Sequence, residues 1–272
     1  MKLLLLFLFL CGLAASIGVL FGFLLLALDR QKRPRVHRQG ISCYARETAI
    51  YVLLFVLKPL GWFGDTPRRA PVPGVRRPLL LVPGYGDNRS AMLFMAKALR
   101  ARGWPWVHVL NHRPISAPIP ALAQNLEIEI HRLCRASGQE EVDLVCHSIG
   151  AIVATWNLNH REQPSPVVRM VTLAAPFRGT RIAIFGLRRE AQDISPGSAV
   201  LEDLGLPPVP TTSIRSTCDN IIFPANSPVL PERTDYTNVA LPWLGHNEML
   251  FSPRVLREVI KALGHAATGE EE

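Results

Sequence analysis

A serine, an aspartate and a histidine, met in that order along 272 residues, are the side chains in this sequence best placed to do chemistry together. Cys146-His147-Ser148-Ile149-Gly150 follows the apolar run Val142–Val145 and leads into Ala151-Ile152-Val153. This is a variant of G-x-S-x-G, a sharp strand-to-helix turn that exposes a serine hydroxyl and demands small neighbours so that strand and helix pack closely. Gly150 meets that demand on one side; Cys146, small but not glycine, replaces the first glycine. Asp219 lies in CDNIIFP after the strand-like Thr212–Ser216, and His246 lies in LGHNE after Val239–Leu244. Such a histidine takes the serine proton and returns it to the leaving group, while the aspartate fixes the imidazole tautomer. Acyl transfer also needs two backbone N–H groups aimed at the developing oxyanion, and Tyr85, in Pro83-Gly84-Tyr85-Gly86, and Ile149 are the residues expected to supply them.

The competing side chains fit less well. Asp193, Asp203 and Asp235 do not follow a strand-like run so directly. His108, His112 and His131 precede the serine in the chain, and His147, beside it on the elbow, is expected to point elsewhere. No histidine and carboxylate cluster has metal-ligand spacing, so neither a metal nor a cofactor is expected.

To converge, these residues need a scaffold whose strands end on one edge. The pattern from residue 78 supplies one, alternating apolar runs with helical periodicity. Strands are expected at Leu79–Val82, Trp106–Leu110, Val142–Cys146, Val167–Leu173, Thr212–Ser216 and Asn238–Leu241. Helices are expected at Ser90–Arg102, Ala121–Ala136, Ile149–Asn159 and Pro253–Leu263. Continuous apolar strands separated by helices indicate a mostly parallel sheet covered on both faces, an α/β class in which strand C-termini share an edge.

With those stretches in hand, residues 78–264 resemble the α/β-hydrolase family, in particular bacterial esterases and lipases of the triacylglycerol lipase kind. LLLVPGYGDN, VDLVCHSIGAIVA, VTLAAPFRGT and the paired CDNIIFP and GHNEMLFSP carry the resemblance. It implies an eight-stranded-type core over 78–265 and a short lid over about 178–210. In that lid Ile182, Ile184, Phe185, Leu187, Leu201 and Leu204 would offer apolar surface to an acyl chain. It further implies carboxylic ester hydrolysis through an acyl-Ser148 intermediate. Pro83 stands where lipases often carry histidine, a departure that alters support of the loop and not its donating N–H. An acyltransferase on the same fold, or a catalytically silent membrane scaffold, are the alternatives.

Ahead of this domain the composition changes. Leu3–Leu28 is a 26-residue uncharged run, longer than the core of a cleavable signal, and residues 1–29 are expected to form a transmembrane anchor. A second apolar stretch, Thr48–Phe63, either spans again or lies in the interface. One span would leave the catalytic domain in the cytoplasm and two would place it outside, at what is expected to be a bacterial inner membrane. Residues 64–78 hold four prolines and four arginines and read as a linker; 266–272 form an acidic tail. The net charge of +8 comes from the segment 30–77, since from residue 78 onward 18 basic face 19 acidic residues. That placement suits contact with membrane lipid headgroups and argues against nucleic-acid binding. Five cysteines without paired spacing imply no disulfide framework.

Overall fold

Strands as apolar as Leu79–Val82 have to be covered on both faces, and in the computed structural model six strands form one all-parallel sheet. The structure describes residues 12–13, 16–24, 38–63, 76–112, 116–186 and 188–264. The strands are β1 (Leu79–Val82), β2 (Val107–Val109), β3 (Val142–His147), β4 (Val167–Leu173), β5 (Thr211–Ser216) and β6 (Tyr236–Leu241), in the spatial order β2-β1-β3-β4-β5-β6. Adjacent residues of β1 enter opposite cores: Leu80 and Val82 pack with the helices α3 (Ile119–Ser137) and α4 (Ile149–Asn159). Leu79 and Leu81 pack with α2 (Leu93–Arg100) and α7 (Pro253–Leu263) on the other face. The sheet is thus sandwiched, as the apolar runs required.

The strand order matters for function. From β1 the chain moves outward to β2 and then returns to place β3 on the other side of β1, so the loops after β1 and β3 diverge from a topological switch point where open α/β sheets bind ligands. The expected eight-stranded-type core is corrected to six strands among the described residues. The apolar sequence ahead of β1 forms a helix, α1 (Arg38–Leu57), followed by the 3-10 turn Lys58–Trp62.

Helix α1 is seated on the sheet domain by one stripe. Cys43, Glu47, Ile50 and Leu54 recur at helical spacing, and Cys43, Glu47 and Leu54 are buried. The following turn is locked to the loops after β1 and β2: Asn88 Nδ2 donates to Lys58 O at 2.8 Å and Asn111 Nδ2 to Gly61 O at 2.8 Å. Ile41, Leu53, Phe55, Val56, Leu60, Trp62 and Phe63 remain exposed on the far side. Gly40–Trp62 is long and apolar enough to cross a membrane. Of the run assigned to the anchor, 12–13 and 16–24 are described and helical, and the rest lies outside the described residues, as do most of the linker (64–75) and the acidic tail.

The lid segment comprises the 3-10 turn Arg181–Phe185 and the short helices α5 (Arg189–Asp193) and α6 (Ala199–Asp203). Ile184 and Phe185 are exposed, but Leu204 is buried in the core beside α4 with Leu201 packed against it. Those two leucines therefore anchor the segment to the core. Ile182 packs with Cys43, Cys218 and Phe223, and Leu187 lies outside the described residues.

Candidate active site

Strand β3 ends at His147 and α4 begins at Ile149, leaving a single residue, Ser148, to turn the chain. It does so with φ 52° and ψ −126°, a region that a non-glycine residue enters only under constraint. Ser148 N donates to Leu173 O at 2.8 Å and Ser148 O accepts from Ala151 N at 3.0 Å, which ties the kink to β4 on one side and to the first turn of α4 on the other. The kink also drives α4 against the end of β1: a Cβ on Gly150 would lie 2.6 Å from the carbonyl oxygens of both Val82 and Pro83. Gly150→Ala is accordingly expected to destabilise the fold by about 1–3 kcal/mol, because backbone must move to admit the methyl group. Chemical denaturation of the variant checks this. The loop after β1 comes equally close, since a Cβ on Gly84 would sit 2.9 Å from His147 Nδ1 and 3.2 Å from Ser148 Cβ.

Asp219 and His246 are brought together from the loops after β5 and β6. His246 Nδ1 lies 2.9 Å from Asp219 Oδ2 and 3.1 Å from Oδ1, and both side chains are buried. Asp219 Oδ1 also accepts the backbone N–H groups of Ile221 at 2.8 Å and Ile222 at 2.9 Å. Burial opposes the Asp219 charge, but His246 and these two donors outweigh it and hold the carboxyl below its ordinary range. Burial likewise opposes the imidazolium, and Asp219, with Glu47 and Asp87 behind it, outweighs that and raises His246 above 6.5. A pair arranged so favours a proton on Nδ1 and leaves Nε2 as the free basic nitrogen. No hydrogen bond joins Ser148 Oγ to the His246 ring here; catalytic hydrogen bonds are often long without substrate and tighten in the complex.

His147 does not lie idle. Its Nε2 is 3.3 Å from His246 O and its ring centroid 4.7 Å from that of His246, so the residue beside the serine supports the backbone of the distant histidine. Burial, then the neighbouring His246 charge, pushes its pKa down to about 3, and as a neutral ring it donates Nε2–H to that carbonyl. Burial also lowers the His112 pKa, and its Nε2 lies 3.0 Å from Pro83 O, bracing the turn that carries Tyr85. Tyr85 itself is partly exposed, with the Arg188 guanidinium 5.7 Å from its ring centre, and Ile149 opens α4, where an N–H has no carbonyl one turn earlier to bond. The supporting roles of His147 and His112 had no signal in chain order or spacing.

The rival residues are accounted for elsewhere. Asp193 accepts from Ile119 N at the start of α3, Asp203 pairs with His160, and Asp235 pairs with Arg233. His108 and His131 meet Glu129 and Glu127 of α3.

One contributor comes from outside the sheet domain. Glu47 of α1 is fully buried: its Oε1 accepts from Asn247 N at 2.9 Å and Asn247 Nδ2 at 3.2 Å, and its Oε2 from Glu248 N at 2.9 Å. Beside it Arg46 bonds Glu248 Oε1 at 2.6 Å and Trp243 O at 2.9 Å. The available signal was a carboxylate standing directly before the apolar stretch Thr48–Phe63.

Comparison with known proteins finds no matching family model and no matching curated protein. Solved structures do match. Aspergillus fumigatus lipase B superposes with a TM-score of 0.62 at 19% identity, over 72% of this chain and 54% of that one. The mature Bacillus licheniformis lipase BlEst2 gives 0.54 at 12%, over 74% and 100%. The putative non-heme bromoperoxidase BpoC of Mycobacterium tuberculosis H37Rv gives 0.56 at 14%, over 71% and 94%. The parallel sheet, its flanking helices and these superpositions together establish that the chain has the α/β-hydrolase fold.

Proposed function

We propose that this protein is a serine hydrolase that cleaves carboxylic esters, with acyl or lipid substrates, through an acyl-Ser148 intermediate. The observation that carries the reading is the left-handed, constrained backbone of Ser148 at the junction of β3 and α4, at the switch point of the sheet and on the edge where Asp219 orients His246. In this reading His246 Nε2 removes the serine proton as Oγ attacks the ester carbonyl carbon. The Tyr85 and Ile149 N–H groups take the charge that develops on the carbonyl oxygen. The imidazolium then gives its proton to the departing alkoxide, which leaves as the alcohol. Water, deprotonated by the same nitrogen, attacks the acyl-enzyme, and Ser148 recovers its proton as the acid departs.

The apolar character of the substrate rests on what surrounds this edge. Ile184 and Phe185 of the lid are exposed, the ring of Phe185 meets that of Phe21 from the N-terminal apolar run edge-on at 5.1 Å, and the turn after α1 ends in the exposed Trp62 and Phe63. Exposed apolar and interfacial aromatic residues of this kind suit a membrane surface, and the basic segment 30–77 suits anionic headgroups. We therefore place the enzyme at a membrane, the bacterial inner membrane in the first instance. Purified full-length protein in detergent, given nitrophenyl esters from acetyl to palmitoyl, is expected to hydrolyse medium or long acyl groups faster than acetyl. A preference for acetyl would overturn the lipid substrate, and no turnover of any ester would overturn the hydrolase reading.

A further inference from the structure

We propose that Glu47, on a helix outside the sheet domain, is a positioning residue for His246, so that α1 forms part of the catalytic apparatus and is more than an attachment. This inference rests on the hydrolase reading above. Three of the donors around the Glu47 carboxylate belong to residues 247 and 248, directly after the histidine. A Cβ on Gly245, directly before it, would run into the same carboxylate, so the chain passes over Glu47 with no space between. A fully buried carboxylate is costly unless its oxygens are occupied, and here both oxygens are occupied by the backbone of one loop. Other bonds act beside these, among them His147 Nε2 at 3.3 Å from His246 O and Ser216 Oγ donating to Leu244 O at 2.6 Å. Gly245 N goes to Glu248 Oε2 at 3.0 Å, and that side chain is itself held by Arg46 of α1. His246 N goes to Asn220 Oδ1 at 3.1 Å, which joins the loop to the acid. Two consecutive residues of α1 thus grip the loop, Arg46 through Glu248 and Glu47 through the backbone.

The proposal has an electrostatic consequence. The titratable and charged groups facing His246 are Asp219 from the loop after β5, Glu47 from α1, Asp87 from the loop after β1 and His147 from the elbow, with Arg46 and Glu248 forming a pair beside them. Glu47 raises the pKa of His246 in proportion to its own ionisation, and burial holds the Glu47 carboxyl itself up at about 7. Removing the carboxyl removes that share of the pull, and the base then stays deprotonated to a somewhat lower pH.

Glu47→Gln preserves shape, but its amide nitrogen must face one of the N–H donors. In the full-length protein, with each preparation normalised to sites titrated by a fluorophosphonate, Glu47→Gln is expected to lose about 10- to 100-fold in kcat, the range for misplacing a catalytic group. KM is expected to stay within about twofold, because the residue touches no substrate. The acidic limb of kcat/KM is expected at lower pH than in wild type. Glu47→Asp, which keeps the charge on a shorter arm, is expected to restore the position of the limb and part of the rate. A purely structural role would reduce the yield of titratable sites and leave kcat per site and the limb unchanged, and that result overturns the proposal. The His246 ring titration followed by NMR in a Ser148→Ala background separates this from the hydrolase reading, since it needs no turnover. A lower ring pKa on adding Glu47→Gln supports the positioning role even where esters are not hydrolysed, and an unchanged ring pKa contradicts it.

Discussion

Ser148→Ala is expected to lower kcat for nitrophenyl ester hydrolysis by about 10⁴- to 10⁶-fold with KM nearly unchanged, the loss seen when a nucleophile that acts as a unit with its base is removed. The residual rate would come from the oxyanion donors and from binding, neither of which uses the hydroxyl. The substitution is expected to leave folding intact, and this chain itself gives the reason. Ala174, just past the neighbouring strand, also has a positive φ, 53° against 52° at Ser148, so an alanine with φ of that sign is accommodated beside this sheet. Ser148 also contributes only its backbone N and O to the bonds that fix the kink. Thermal unfolding of the variant should therefore resemble wild type while turnover disappears, which separates loss of chemistry from loss of structure.

Asp219→Asn is expected to cost about 10⁴-fold in kcat, for a reason specific to its surroundings. Oδ1 accepts two backbone N–H groups, from Ile221 and Ile222, so the asparagine oxygen is obliged to stay there. The amide nitrogen then takes the place of Oδ2 opposite His246 Nδ1, where two donors would face each other unless the imidazole changes tautomer. Moving the ring proton to Nε2 relieves that conflict and removes the lone pair needed by the serine. The variant also loses the charge that raises the His246 pKa, so whatever rate remains should persist to lower pH than in wild type. A pH–rate profile of the variant checks both statements.

The sheet domain was legible because its signals are local. Val142–His147 is a run with one charged residue, Asp143, and that aspartate sits at the strand start within 3.3 Å of Arg77. Ile149–Asn159 and Pro253–Leu263 begin and end at the expected residues, the first set by the elbow and the second by the helix-starting Pro253 and by Gly264. Asp219 and His246 were legible from chain order after strand-like runs. The number of strands was not, because a resemblance supplies a family's full sheet, whereas the described residues form six strands, and of those ahead of β1 Arg38–Leu57 make α1. Within 178–210 the inward faces were not legible: Leu201 lies on the five-residue helix α6 and Leu204 at its end, too short a stretch for helical periodicity to show which side is inward. The least legible feature was the engagement of α1. An apolar helix with one acid and one base at adjacent positions reads as a membrane segment with polar flanks, and only the fold reveals that Arg46 and Glu47 meet residues about 200 positions away. Sequence separation of that size leaves no periodic trace.

Covalent labelling tests the central claim most directly. Full-length wild-type protein treated with a fluorophosphonate and mapped by mass spectrometry is expected to carry one adduct per chain, on Ser148, with the labelling rate falling steeply in His246→Ala. An unlabelled Ser148 in folded protein, or an adduct on another residue at equal rate, would contradict the account.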